Sequence, residues 1–239
     1  MRRLFLSFCE GQTTISVSTA GNDFSVGTIE KPLKSIHAAL KKVAKANSNH
    51  VQIFLRTGTY YSKSVISITP ALLNKHSLTI SAYKNESVIL SGSRPLITNW
   101  RNVVNRKELV ESSVDKGLML DQLICNGEIL HMARYPNYNE TALPLHGTSS
   151  DALSPKKIEK WANPQGAYLH ALHDGEWGGF HYKVIGKVKN DSLAFEGGWQ
   201  NNRPAPIHAD YRYVENIFEE LDSPGEWYYD SSRGKLYLY

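Results

Sequence analysis

The amino-acid sequence predicts an all-β protein, and three observations carry that reading. Aromatic and turn-forming residues dominate, with 13 Tyr, 7 Phe, 5 Trp and 17 Gly against 3 Met. From Val51 onward the chain breaks into short apolar or alternating runs separated by Gly-containing or polar corners. Only one amphipathic stretch carries clear helical spacing, Leu33, Ile36, Leu40 and Val43, at intervals of three, four and three.

Residues 1–13, MRRLFLSFCEGQT, pair a basic start with an apolar stretch shorter than a secretory core requires, and read equally as a shortened signal segment or as an ordinary N-terminus. Thr14 to Ser18 alternates as a strand, and AGNDFSVGT is a loop. Pro32 suits the first position of a helix that ends at Asn47 to Asn49 and shows lysines opposite its apolar stripe. VQIFLRTGTYY, SVISIT, SLTISAY and SVILSG then read as short strands, with corresponding strands recurring after about two dozen residues, a solenoid-like period. Stacked rungs of a parallel β-helix would leave an open end, and the helix before the first rung is its natural cover.

Beyond Trp100 the rhythm changes. LICNGEIL places Asn126-Gly127 between apolar runs, a type I′ hairpin signal, so antiparallel pairing is expected. GAYLHALH, FHYKVIGKV, SLAFEGG, YRYVENIF, EWYYD and KLYLY follow as strands of a sandwich-like module. The expected division is therefore a shortened signal segment or ordinary N-terminus at 1–13, the cap helix and first rungs at 14–98, and an antiparallel β-sandwich-like module at 99–239.

Several classes are excluded or left without support. Lys and Arg total 27 against 23 Asp and Glu, a net charge of +4 spread along the chain, so no nucleic-acid footprint is present. No run reaches the ~20 apolar residues of a membrane span. Cys9 and Cys125 make neither a metal-ligand spacing nor a disulfide framework. Phosphate loops, dinucleotide fingerprints and nucleophile elbows do not occur, and no cofactor is expected.

Three groups of residues invite a chemical role. Glu215, Glu219, Glu220, Asp222 and Glu226 form the densest acidic cluster. An extended YRYVENIFEELD would put Glu215 and Glu219 on one face and Glu220 and Asp222 on the other. Glycoside hydrolysis needs two such facing carboxyls, but Asp222-Ser223-Pro224-Gly225 reads as a turn, and structural use is favoured. His170, His173 and His181 could gather around a metal with Asp174 or Glu176, yet on a strand His170 and His173 point opposite ways, so no metal site is expected. Of Trp161, Trp177, Trp199 and Trp227, those outside the core could carry sugar rings. The best candidate is GGWQNNR, with Trp199, Asn202 and Arg203; Trp177, His181 and Arg134 complete the candidate substrate-binding set, although Arg134 beside Tyr-Pro could equally brace a loop.

VSTAGNDFSVGTIEKPLKSIHAAL followed by IFLRTGTYY resembles the opening of right-handed parallel β-helix proteins of the pectin-lyase-like type. LTISAYKNESVILSGSRPLITNW, ICNGEILHMARYPN and ENIFEELDSPGEWYYDSSRGKLYLY are similar to bacterial β-helix proteins grouped with glycoside hydrolase family 141 and its neighbours. The resemblance implies a sandwich-like module inserted between the first rungs and a longer solenoid, with Lys235 to Tyr239 closing that module. It implies a secreted, periplasmic or cell-surface protein acting on a polysaccharide or oligosaccharide. The catalytic carboxylates would lie on rungs beyond Tyr239, so this chain would be the N-terminal portion of the enzyme, completed by a missing C-terminal β-helix and inactive alone. The alternatives are a non-catalytic carbohydrate-binding or surface protein and a polysaccharide lyase fragment. No catalytic residue is assigned.

Overall fold

The computed structural model describes residues 11–62, 64–73, 77–201 and 203–239. The chain divides into two compact units, Met1–Leu96 and Ile97–Tyr239.

The first unit holds β1 (Gln12–Val17), α1 (Ile36–Val43), β2 (His50–Leu55), β3 (Gly58–Tyr61), α2 (Pro70–Leu73), β4 (Ser77–Ala82) and β5 (Val88–Ser91). All of its ladders are parallel: β1, β2 and β4 form one sheet in that order, and β3 pairs with β5. The register stacks Ile15 on Ile53 on Ile80 and Val17 on Leu55 on Ala82. Because alternate residues share a face, that register buries Ile15, Val17, Ile53 and Leu55 together, and α1 covers them with Ile36, Ala39, Leu40 and Val43. Tyr60 joins this core by donating its hydroxyl to the Val17 and Arg56 carbonyls, at 3.0 and 2.7 Å.

Two local expectations need correcting. The helix does not begin at Pro32: Ser35 is its N-cap, accepting from Ala38 N at 3.1 Å, and Asp23 accepts from the backbone of Lys34 and Ser35. Leu33 is fully buried, but as a parallel bridge to Val17 rather than as a helical residue. Ser16 and Ser18 bond both of its backbone groups, which holds the chain extended up to the cap. The Ser64 to Thr69 stretch, expected as a strand, is irregular and leads into the single turn of α2.

The second unit holds β6 (Arg101–Val103), β7 (Arg106–Ser113), β8 (Leu123–Cys125), β9 (Glu128–Met132), β10 (Arg134–Tyr135), α3 (Pro155–Lys160), β11 (Tyr168–His173), β12 (Gly179–Lys189), β13 (Ser192–Gly197), β14 (Trp199–Gln200), β15 (Arg203–Pro204), β16 (Ile207–Glu215), β17 (Glu226–Asp230) and β18 (Lys235–Leu238). One sheet has the order β10-β16-β11-β12-β13 and is antiparallel throughout. The other has the order β6-β7-β18-β17-β9-β8. Asn126 and Gly127, at φ 53° and 89°, join β8 to β9 as the hairpin signal predicts.

The expected all-antiparallel module contains one parallel pairing, β9 with β17. Hairpin signals constrain only consecutive strands, and these two are joined by a long excursion through the other sheet. The closing apolar run KLYLY is an interior strand, since β18 pairs with β17 on one side and β7 on the other. Leu109, Ala133, Leu221, Tyr228 and Tyr237 form the core beside this sheet. Trp161, Leu169, Ala171, Tyr182, Val184, Val214 and Ile217 form the core on one face of the five-stranded sheet.

Candidate functional site

Strand alternation that buries Leu169, Ala171, Tyr182, Val184 and Val214 sends their neighbours to the opposite face. That second face carries the polar chemistry. Register aligns Arg134 with Glu215, Glu215 with Tyr168, Tyr168 with Lys183 and Lys183 with Glu196 in one row across five strands. The next row aligns Tyr213 with His170 and His170 with His181.

Within these rows Arg134, Tyr213, His170, Glu215 and His181 are joined by side-chain contacts. His170 Nε2 lies 2.8 Å from Glu215 Oε1, and its Nδ1 meets His181 Nδ1. The His170 ring stacks on Tyr213 at 4.5 Å and 11°, and the Arg134 guanidinium lies over the same tyrosine, 3.8 Å from the ring centroid. Burial and the nearby Glu215 charge push the Tyr213 hydroxyl up to about 12. His181 is held below the ordinary histidine value by burial and by the proximity of His170. A second aromatic group, His131 stacked on Tyr138 at 3.8 Å with His146 tilted 5.0 Å from Tyr138, flanks Arg134 through Tyr138. Burial, then Arg134, lowers the His131 pKa.

Arg134 itself is buried. Its guanidinium donates to the carbonyls of Pro136, Leu145 and Gly147, at 2.9, 3.4 and 2.8 Å. Those bonds hold the 136–147 loop, so its donors are committed to backbone rather than directed at solvent. Trp177 and Trp199 are 72% and 61% exposed, whereas Trp161 and Trp227 are core residues. Trp177 sits in the β11–β12 turn, tilted against His173 at 4.6 Å. Trp199 opens the β14–β15 hairpin, where it pairs with Pro204, and Arg203 is exposed on the returning strand. Bonds from Gly198 N to the His181 carbonyl and from Tyr182 Oη to the Ala205 carbonyl, both 2.8 Å, tether that hairpin to the β12 end. Gly198 is required there: at φ +64°, a Cβ would lie 1.9 Å from the Tyr182 ring. Asn202 lies outside the described residues.

The acidic cluster does not extend along one strand. β16 ends at Glu215, and Phe218–Glu220 is a 3-10 turn. Glu219 accepts from Ala162 N at 2.9 Å. Glu220 accepts from Trp161 Nε1 at 2.7 Å and pairs with Lys157 at 3.1 Å. Asp222 accepts from Asn137, while Glu226, rather than Asp222, caps the Ser-Pro-Gly turn by accepting from the backbone of Asp222 and Ser223. Burial pushes Glu226 up to about 7. His173 is buried opposite His170, its Nδ1 accepting from Gly175 N, and among the described residues no group of three or more His, Cys, Asp or Glu is arranged to hold a metal.

In the first unit a cavity of about 610 Å³ opens between α1 and the β3–β5 pair. Its polar groups serve local structure: Asp23 and Ser35 form the helix cap, and His37 contacts Ser64 Oγ and the Val65 carbonyl. Sequence reasoning missed the joining of Glu215 to the two histidines. The i, i+2 pairs Tyr168/His170, His181/Lys183 and Tyr213/Glu215 were its available signal.

No family model matches the chain. Over 78 residues, 33% of this chain, it is 38% identical to pectate lyase PEL9 of Emericella nidulans, a match covering 18% of that protein. A solved glycoside hydrolase structure aligns with 95% of this chain at TM-score 0.72 and 21% identity, covering 43% of the hydrolase. The complex of XylC with xylose aligns at TM-score 0.35 and 15% identity, over 85% of this chain and 31% of that one, too loosely to support a fold argument. The protein thus shares the fold of a portion of a glycoside hydrolase and a stretch of sequence with a pectate lyase. It spans less than half the length of either. Among the described residues no helix is long and apolar enough to cross a membrane.

Proposed function

We propose that this chain is the capped beginning of an exported right-handed parallel β-helix glycoside hydrolase together with its inserted sandwich-like module, and that the module binds saccharide. The observation that carries the binding role is the pair of exposed tryptophans, Trp177 and Trp199, at the end of the sheet that also presents His181. Flat apolar rings beside hydrogen-bonding groups suit a pyranose, which has apolar faces and a hydroxyl rim. Arg203 and Asn202 join the tryptophans as hydroxyl partners in this reading, and Arg134 acts by shaping the 136–147 loop. The parallel registers of β1, β2 and β4 support the β-helix assignment. Membership near glycoside hydrolase family 141 rests on the sequence resemblance.

Hydrolysis belongs, in this reading, to rungs outside the chain, because the acidic side chains at 219–226 are occupied by backbone and side-chain partners. The pectate lyase match favours a second reading, a polysaccharide lyase built on the same solenoid. Titration with a panel of plant and microbial oligosaccharides, including oligogalacturonates, tests the binding role through tryptophan fluorescence. A saturable response is expected, and Trp177→Ala and Trp199→Ala should each weaken it. No response from the folded wild-type protein to any member would overturn the role. Glycan turnover by this chain alone would overturn the placement of catalysis elsewhere, and unsaturated products would select the lyase.

A further inference from the structure

For an ionised Glu215 and a neutral His170, the contacts among Glu215, His170 and His181 allow one arrangement of protons. A carboxylate offers only acceptors, so the 2.8 Å contact between Glu215 Oε1 and His170 Nε2 needs the proton on that nitrogen. A neutral His170 then has a bare lone pair at Nδ1. The facing Nδ1 of His181 must therefore be the donor. That choice leaves His181 Nε2 as an acceptor at the exposed end of the row.

The ring planes are held as well as the protons. Tyr213 stacks on His170, Arg134 lies over Tyr213, and the two imidazoles meet edge to face at 74°. The ionisable side chains that share the His181 face of the sheet are Tyr168 and His170 on β11, Tyr213 and Glu215 on β16, Glu196 on β13, Arg134 on β10 and Lys183 on its own strand. Burial and His170 disfavour an imidazolium at His181, outweighing the opposite influence of Glu215.

We propose that Glu215, His170 and His181 form a hydrogen-bonded relay that presents His181 Nε2 as a fixed acceptor for a saccharide hydroxyl, with His170 and Glu215 as its positioning residues. The ligand class rests on the saccharide-binding reading above. The relay itself rests on the contacts alone. Protonation of His181 converts the acceptor into a donor, so a hydroxyl oriented to donate loses its partner, and affinity falls as pH drops through the lowered His181 value.

Nitrogen-15 NMR of the full chain at neutral pH is expected to show His181 neutral with its proton on Nδ1 and His170 with its proton on Nε2. A His170 imidazolium, or a His181 protonated on Nε2, would overturn the relay. Oligogalacturonate titration across pH, read by tryptophan fluorescence, tests the ligand half. Glu215→Leu and His170→Phe, each checked for folding by circular dichroism, should weaken binding about tenfold, the loss of roughly one oriented hydrogen bond. They should also shift the pH midpoint. Equal affinity and an unchanged pH profile in both variants overturn the relay while leaving saccharide binding intact. No binding by wild type at any pH overturns the saccharide assignment, and the NMR result then decides the relay separately.

Discussion

Glu226 offers a measurable test of how the second unit is held. The side chain is 3% exposed and sits where β17 begins, accepting from Asp222 N, Ser223 N and Arg134 N at 3.2, 3.1 and 3.4 Å. Those donors favour the anion, but burial outweighs them and the carboxyl is raised from 4.5 to about 7. A raised acid pKa means that the folded protein holds the proton more tightly than the unfolded chain. Stability from this group is intact below about pH 4.5 and is lost as pH rises toward 7. At about 1.4 kcal/mol per pKa unit, the full loss is at most about 3 kcal/mol.

All five tryptophans, at positions 100, 161, 177, 199 and 227, lie in the second unit, so their fluorescence reports its unfolding. Urea denaturation of wild type and Glu226→Gln, repeated from pH 4 to pH 8 (roughly the window set by the shift), isolates the term as a difference. The wild type should lose up to about 3 kcal/mol relative to Glu226→Gln between pH 4.5 and 7.5, with no further relative change above. Asp151, Asp230 and Glu111, all lowered, act in the opposite sense and lose stability at acid pH, but they are common to both proteins. A flat difference, or one that grows in favour of wild type as pH rises, refutes the assignment of a buried, proton-holding Glu226.

Three further substitutions probe other joints. Trp161→Phe removes the 2.7 Å donor to Glu220 from a fully buried site and should destabilise the second unit by about 2–4 kcal/mol, measured by urea unfolding monitored by circular dichroism. Leu33→Ala empties the position where the pre-helix segment bridges β1 and should cost about 2–5 kcal/mol, seen as lost amide protection in β1 and β2. Arg134→Lys keeps the charge but cannot reach three carbonyls with one planar fork, so hydrogen exchange should accelerate in the 136–147 loop while β17 and β18 stay protected.

Much of the strand inventory is visible in the sequence because it depends on short-range chemistry. The Asn126-Gly127 turn needs positive φ at both residues, and Ile15/Val17, Ile53/Leu55 and Ile80/Ala82 recur at the two-residue spacing that puts them on one strand face. The helix start is hidden in the sequence because Leu33 has helical spacing from Ile36, whereas the backbone bonds around Leu33 are made to β1. Spacing along the chain cannot distinguish those uses; the Asp23 bonds to Lys34 and Ser35, made from more than ten residues away, decide it. The β9–β17 pairing was invisible for the same reason, since no local signal records which distant strands will meet.

The acidic cluster shows how the same limit bears on function. Five acids within twelve positions suggest catalytic pairing when their partners are unknown. Once the chain folds, Glu219 serves Ala162, Glu220 serves Trp161 and Lys157, Asp222 serves Asn137, and Glu226 caps a turn. Glu215 alone turns toward the open face, and its partner there is His170 rather than a second carboxyl. A glycosidase mechanism requires two carboxyls around one bond, whereas Glu215 stands behind two imidazoles and the other carboxyl of this row, Glu196, is three strands away on β13. Under the proposed saccharide-binding reading this face orients a hydrogen bond to the ligand, and the His181 tautomer is the observable on which that reading turns.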